Sequence, residues 1–338
     1  MCIRDSPRVM LKKAKLQFTD SQRSAALATV REAAAKVGND EQQLRTVGRI
    51  MMDCQDQQGA REWLLDAHRR MPESVPILYD LAQAEFHLNL PDDALPRIER
   101  VLAAEPYHPG ALHLRSALTT WTKENNHTED LERRLAEAGS DPRLIAATGY
   151  ALAKEYEDLG DYDGSFAALS RGASAYRSTL TYDSAEELAL HERIREGFTA
   201  QRFSELTGGV SGTAPIFIVG MPRTGTTLVE RLLGAHSDVI SIGEFKDFSL
   251  MLSDLAARLP NSLRSGASAV DVSLAIDFSE LGQRYLTAAR DLAGSSPRFV
   301  DKLPYNFLYC GYIRAAMPDA RIIHLTRDPM DTCYAVYK

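Results

Sequence analysis

The stretch Gly220-Met221-Pro222-Arg223-Thr224-Gly225-Thr226-Thr227 joins an apolar, β-branched run, residues 216–219, to an amphipathic pattern over residues 226–236. A strand, a glycine-bearing turn and a helix N-terminus together form an anion site. The N–H groups of the first helical turn have no internal partner, and the helix dipole favours negative charge beside them. Gly220 and Gly225 permit a tight turn and close backbone approach. Arg223, at the tip, offers a forked cation that matches phosphate or sulfate oxygens. Thr224, Thr226 and Thr227 complete the cradle. The spacing is nearly that of a nucleotide-binding phosphate loop, in which a lysine follows the second glycine; here that position is Thr226. An ordinary strand–helix turn capped by Thr226 would share the glycines, but an arginine tip with paired threonines favours the anion.

Three later positions extend the pattern. The apolar run 239–242 ends at Gly243-Glu244, 298–300 at Asp301-Lys302, and 321–326 at Arg327-Asp328-Pro329. In open parallel sheets the carboxyl ends of the strands share one edge, where ligands bind. If the runs are parallel neighbours, Arg223, Glu244, Lys302 and Arg327 converge. Any one of the four reads as a solvated charge at a strand end; all four falling there favour a shared anion site. His236 fits the end of the loop helix, and His324 lies within a strand, where a packed ring is expected. A magnesium-dependent kinase or nucleotidase would have to work without the loop lysine and with Asp301 or Asp328 as its carboxylate.

The elements that hold these residues fall into two halves. Residues 1–206 are rich in Ala, Leu, Glu and Arg, with turn signals between stretches of helical length. Ala60 and Ala94 lie 34 residues apart, as do Pro72 and Pro106, and residues 159–176 read as a later second helix of the same kind. A 34-residue helix–turn–helix period marks tetratricopeptide repeats, whose helices approach closely only where side chains are small. A long helical stretch is expected over about 183–206, then a linker of glycines and small polar residues at 207–215. The opening residues 1–6 share no pattern with the rest of the chain and read as non-native. The expected fold is multidomain, an N-terminal α-solenoid (1–206) followed by an α/β domain with a parallel sheet (216–338).

The chain has 338 residues and a formal net charge of −7, which argues against a nucleic-acid binder. The four cysteines are scattered, suggesting neither a disulfide framework nor a zinc site. No apolar run approaches membrane-spanning length and no signal-peptide core is present, so a cytoplasmic location is expected.

Residues 215–244 and 301–338, with the repeats before them, resemble tetratricopeptide-repeat sulfotransferases, the catalytic part being similar to the branch that includes tyrosylprotein sulfotransferases. The resemblance implies 3′-phosphoadenosine 5′-phosphosulfate (PAPS) as donor, so the loop would hold a 5′-phosphosulfate and need neither the lysine nor a metal. By position it implies donor contacts from Arg223, Thr224, Gly225, Thr226 and Thr227, a general base at Glu244, a lysine beside the transferring group at Lys302 and a 3′-phosphate arginine at Arg327. The acceptor would be a hydroxyl of a protein tyrosine, a carbohydrate or a small molecule, with a peptide or protein selected on the repeat surface. Two departures stand out. Ala335 occupies the place of a serine usual in the family, with Thr332 as a substitute hydroxyl. The chain also stops where the family's catalytic domain continues, so it resembles a C-terminally truncated form. The alternative is a repeat scaffold carrying a degenerate or incomplete transferase domain.

Overall fold

The computed structural model of the chain describes residues 6–19, 22–206, 208–212 and 214–338. Residues 1–5, and Thr207 and Thr213 of the expected linker, lie outside the described residues. Two compact units divide between Thr181 and Tyr182.

The first unit is helical: α1 (Pro7–Thr19), α2 (Arg23–Ala34), α3 (Glu41–Asp53), α4 (Gln57–Arg70), α5 (Val75–His87), α6 (Pro91–Ala104), α7 (Pro109–Ala117), α8 (Thr128–Glu137), α9 (Pro142–Asp158) and α10 (Tyr162–Arg177). The helices start where the local chemistry says they should: Asp40, Asp56, Ser74, Asp141 and Asp161 each accept a first-turn N–H as N-cap. The 34-residue period is longer than the two copies legible in the sequence. First helices begin at Pro7, Glu41, Val75 and Pro109, and second helices at Arg23, Gln57 and Pro91. Ala26, Ala60 and Ala94, one per second helix, are completely buried. The register then loosens, because α7 spans only nine residues. This is the TPR-like solenoid expected from the spacing.

Buried charges in this array are paired, as desolvation requires. Asp80 on α5 is held by Arg45 (2.7 Å) and Arg49 (2.9 Å) of α3, and Glu85 lies 3.3 Å from Arg61 and 3.1 Å from Arg97. Helices α9 and α10 pack closely: a methyl group on Gly149 would stand 2.8 Å from the Gly172 Cα and 3.0 Å from the Ala168 carbonyl oxygen. Backbone cannot yield as a side chain can. Gly149→Ala is expected to cost about 2–3 kcal/mol by forcing the two helices apart, measurable as a lowered denaturation midpoint. A change below about 0.5 kcal/mol would mean that the pair is not packed this closely.

The second unit opens with α11 (Ser184–Gly197) and α12 (Ala200–Glu205). The helical stretch expected over about 183–206 is two helices, parted at Phe198-Thr199, where Thr199 caps α12. Phe198, Phe203 and Leu206 pack against the core of the α/β domain, which is why these helices group with it. The rest is β1 (Ile216–Gly220), α13 (Thr226–Gly234), β2 (Val239–Ser241), α14 (Asp247–Arg258), α15 (Asn261–Arg264), α16 (Ala269–Leu274), α17 (Phe278–Ala293), β3 (Arg298–Lys302), a 3₁₀ turn (Pro304–Tyr309), α18 (Cys310–Ala316), β4 (Arg321–Leu325) and α19 (Pro329–Tyr337). All four apolar runs are strands. They form one parallel sheet in the order β2-β3-β1-β4, so the fold is the expected solenoid followed by an open parallel α/β sheet.

Phe217, Phe245, Phe248, Tyr285 and Phe299 form an aromatic core with α14, α17 and α18. By contrast, α13, whose amphipathic pattern lets Leu228 and Leu232 share one side, buries only Thr226 and leaves both leucines exposed.

Candidate functional site

The strand order settles which expected residues meet. Glu244 follows β2, Lys302 ends β3, residues 221–227 follow β1 and Arg327 follows β4. The spatial sequence along the carboxyl edge is therefore Glu244, Lys302, the glycine loop, Arg327.

The loop turns sharply. Gly225 is left-handed (φ 96°) and caps α13. A methyl group on Gly220 would stand 2.4 Å from the Leu325 carbonyl oxygen, so only glycine lets β1 and β4 run this close at their ends. Arg223 is also left-handed, at φ 67°, a costly conformation for a residue with a Cβ and one that clusters at functional sites. Its exposed guanidinium has no ion pair among the described residues. The Thr224 hydroxyl donates to the Met221 carbonyl at 2.7 Å and stiffens the turn. Thr226 is buried at the first position of α13 and Thr227 is exposed. Arg327 donates to the Arg223 carbonyl oxygen at 3.4 Å and lies 3.4 Å from Asp331. The two arginines are thus tied into one corner, open to an anion.

On the other side, the β2–β3 ladder continues past β2: the Lys302 N–H donates to the Gly243 carbonyl at 3.0 Å. That bond fixes Glu244 beside Lys302, whose ammonium donates to Glu244 Oε1 at 2.6 Å. Lys302 is 7% exposed. A second carboxylate, Glu230 of α13, lies 3.7 Å from the same ammonium. Sequence reasoning missed Glu230, because in an amphipathic helix it looked like solvated surface. The signal available was its place one turn after the glycine loop, on the helix that must pack beside β3.

Several weaker expectations fare differently. His324 is exposed on β4 rather than packed, because β4 is an edge strand. His236 is exposed, and its Nδ1 accepts the Asp238 N–H at 3.0 Å. Thr332 is buried, and its hydroxyl donates to the Asp328 carbonyl at 2.9 Å, at the start of α19. Asp328 caps α19 by accepting the Met330 and Asp331 N–H groups. Asp301 points into the core, where it accepts the Tyr285 hydroxyl at 2.6 Å, and burial pushes its carboxyl up to about 7. Neither aspartate is presented as a magnesium ligand. No group of His, Cys, Asp and Glu among the described residues is arranged to hold a metal, and no described helix is long and apolar enough to cross a membrane.

Residues 215–338 match the model of the sulfotransferase family. An uncharacterized protein of Aquifex aeolicus (strain VF5) is 28% identical over 294 residues, which are 86% of this chain and 38% of that protein. Nodulation protein NoeE of Sinorhizobium fredii is 29% identical over 121 residues, 33% of this chain and 28% of that protein. A Caenorhabditis briggsae protein named "Putative protein-tyrosine sulfotransferase" is 29% identical over 114 residues, 33% of this chain and 39% of that protein. The chain thus spans less than two fifths of the length of each of these relatives. Fold, motif order and family match agree on the coarse assignment: behind a helical repeat array, residues 215–338 form a sulfotransferase-like domain.

Proposed function

We propose that the C-terminal unit transfers a sulfuryl group from PAPS to an acceptor hydroxyl. The observation that carries this reading is the order along the sheet edge: a carboxylate, a buried lysine, an anion loop lacking the nucleotide lysine, and a second arginine. PAPS is a donor with two anionic ends. The residues present fit both: Arg223 and the backbone of Thr224, Gly225, Thr226 and Thr227 would hold the 5′-phosphosulfate, and Arg327 the 3′-phosphate. The donor supplies an activated sulfuryl group with adenosine 3′,5′-bisphosphate as its leaving group. Glu244 takes the acceptor hydroxyl's proton as the acceptor oxygen bonds to sulfur and the bond from sulfur to the bridging phosphate oxygen breaks. Lys302 and Arg223 stabilise the charge that develops on the leaving and equatorial oxygens, the usual requirement of an in-line transfer. No metal is required. The repeat unit, whose solenoid form suits peptide or protein surfaces, would select the acceptor.

The test is a thermal shift of the 338-residue chain with adenosine 3′,5′-bisphosphate, against ATP with magnesium. A ligand of the folded state must raise its apparent stability. At a hundredfold excess over Kd the expected rise is about 5 °C or more for the bisphosphate, lost in Arg223→Ala. A larger rise with ATP and magnesium would favour a phosphotransferase, and no rise with either would count against the donor site.

A further inference from the structure

Lys302 stands between two unequal carboxylates. The Glu244 side chain is 49% exposed, and its only polar contact among the described residues is the ammonium itself. The Glu230 side chain is 13% exposed and lies 3.7 Å from the ammonium, an ion-pair distance just outside hydrogen-bonding range. Glu230 is also anchored. Its Oε1 accepts the Ser241 hydroxyl, and Ser241 Oγ accepts the Gly243 N–H at 3.0 Å. One polar chain therefore runs from the backbone beside Glu244, through Ser241 and Glu230, to Lys302. It joins α13, which carries the donor loop, to the ends of β2 and β3.

To act as a base, Glu244 must exchange the ammonium for an acceptor hydroxyl. Were Glu244 the sole anchor, that exchange would release Lys302, a cation on a flexible four-carbon stem, when its position matters most. We propose that Glu230 is the positioning residue for Lys302: it retains the ammonium beside the donor loop while Glu244 turns to the acceptor. The role in turnover rests on the transferase reading; the hold on Lys302 does not. A small movement of the ammonium towards Glu230 converts the ion pair into a hydrogen bond, and Ser241 keeps the carboxylate from following Glu244.

The hold is read without any turnover by amine-selective acylation of the 338-residue chain, with Lys302 followed by peptide mass spectrometry. Glu244→Gln is expected to leave Lys302 labelling within about twofold of the parent chain, whereas Glu230→Gln raises it about fivefold or more. Ser241→Ala, which removes only the anchor, raises it less and serves if the first variant folds poorly. In a sulfuryl-transfer assay, Glu230→Gln is expected to lower kcat about tenfold or more with donor KM changed less than about twofold, a split that a merely structural role would not produce. The proposal is overturned if Glu244→Gln alone frees Lys302 while Glu230→Gln and Ser241→Ala leave labelling unchanged. It is also overturned if kcat in Glu230→Gln matches the parent. If the parent transfers no sulfuryl group, the transferase reading fails, and the labelling still decides whether Glu230 holds Lys302.

Discussion

Lys302→Ala is expected to lower the rate of sulfuryl transfer about 10²–10³-fold, the usual effect of removing one preorganised charge-stabilising donor from a water-poor site. Lys302 is 7% exposed and sits at the strand end next to the glycine loop, so neither water nor a neighbouring residue replaces its ammonium. Stability should fall as well, because Glu230, 13% exposed, loses its cation. Glu244→Gln separates chemistry from folding. Its half-exposed side chain contributes little to stability, about 0.5 kcal/mol or less, yet loss of a general base costs about 10²–10⁴ in rate. Steady-state kinetics on both variants, each with a melting curve, make the comparison. Near-parental turnover in either one would remove that residue from the mechanism.

The second large effect lies beneath the site. Asp301 is completely buried against Tyr285, with Asp247 of α14 and Asn306 of the 3₁₀ turn also acting on it, and its carboxyl is pushed by burial from 3.8 up to about 7. The unfolded chain releases that proton near the ordinary value, while the folded chain keeps it to about 7. Between those two values the folded state binds the extra proton, so stability is highest below the unfolded value and declines as pH rises, levelling off above about 7. The span corresponds to a few kcal/mol, about 4 at most. Asp301→Asn retains an acceptor for the Tyr285 hydroxyl and has nothing to ionise. It is expected to flatten this part of the stability profile and to be the more stable protein at pH 8. Melting of the C-terminal unit from pH 5 to 8 in both proteins measures the difference. Parallel curves would show that Asp301 does not titrate in this range.

Asp301 also marks where sequence reasoning stops. It precedes Lys302 in the chain and looks equally available at a strand end, but successive strand residues face opposite sides of the sheet. Its neighbour in sequence faces the site while Asp301 enters the aromatic core. The strands themselves were legible because each is a short, β-branched apolar run of the kind a covered sheet requires. Their order was not, since β2-β3-β1-β4 depends on long-range pairing, and without it the meeting of Glu244 with Lys302 is conditional. Glu230 was illegible for a related reason: a charged helical residue looks solvated until the strand beside it is known. In the repeats, Ala26 continues the spacing of Ala60 and Ala94, but the first copy lacks the proline that marked the other two. The break at Phe198-Thr199 and the association of α11 and α12 with the second unit depend on aromatic packing, which no local pattern announces.

The regular starts of the first helices at Pro7, Glu41 and Val75 limit how this array can change length. One residue added within a helix turns everything after it on that helix by about 100°, which would rotate Ala26, Ala60 or Ala94 out of their buried positions. Removing or duplicating a complete unit preserves every such contact except those at the junction. Over this part of the chain, tolerated insertions and deletions inside the packed helices come in whole repeats, while the turns absorb the remainder.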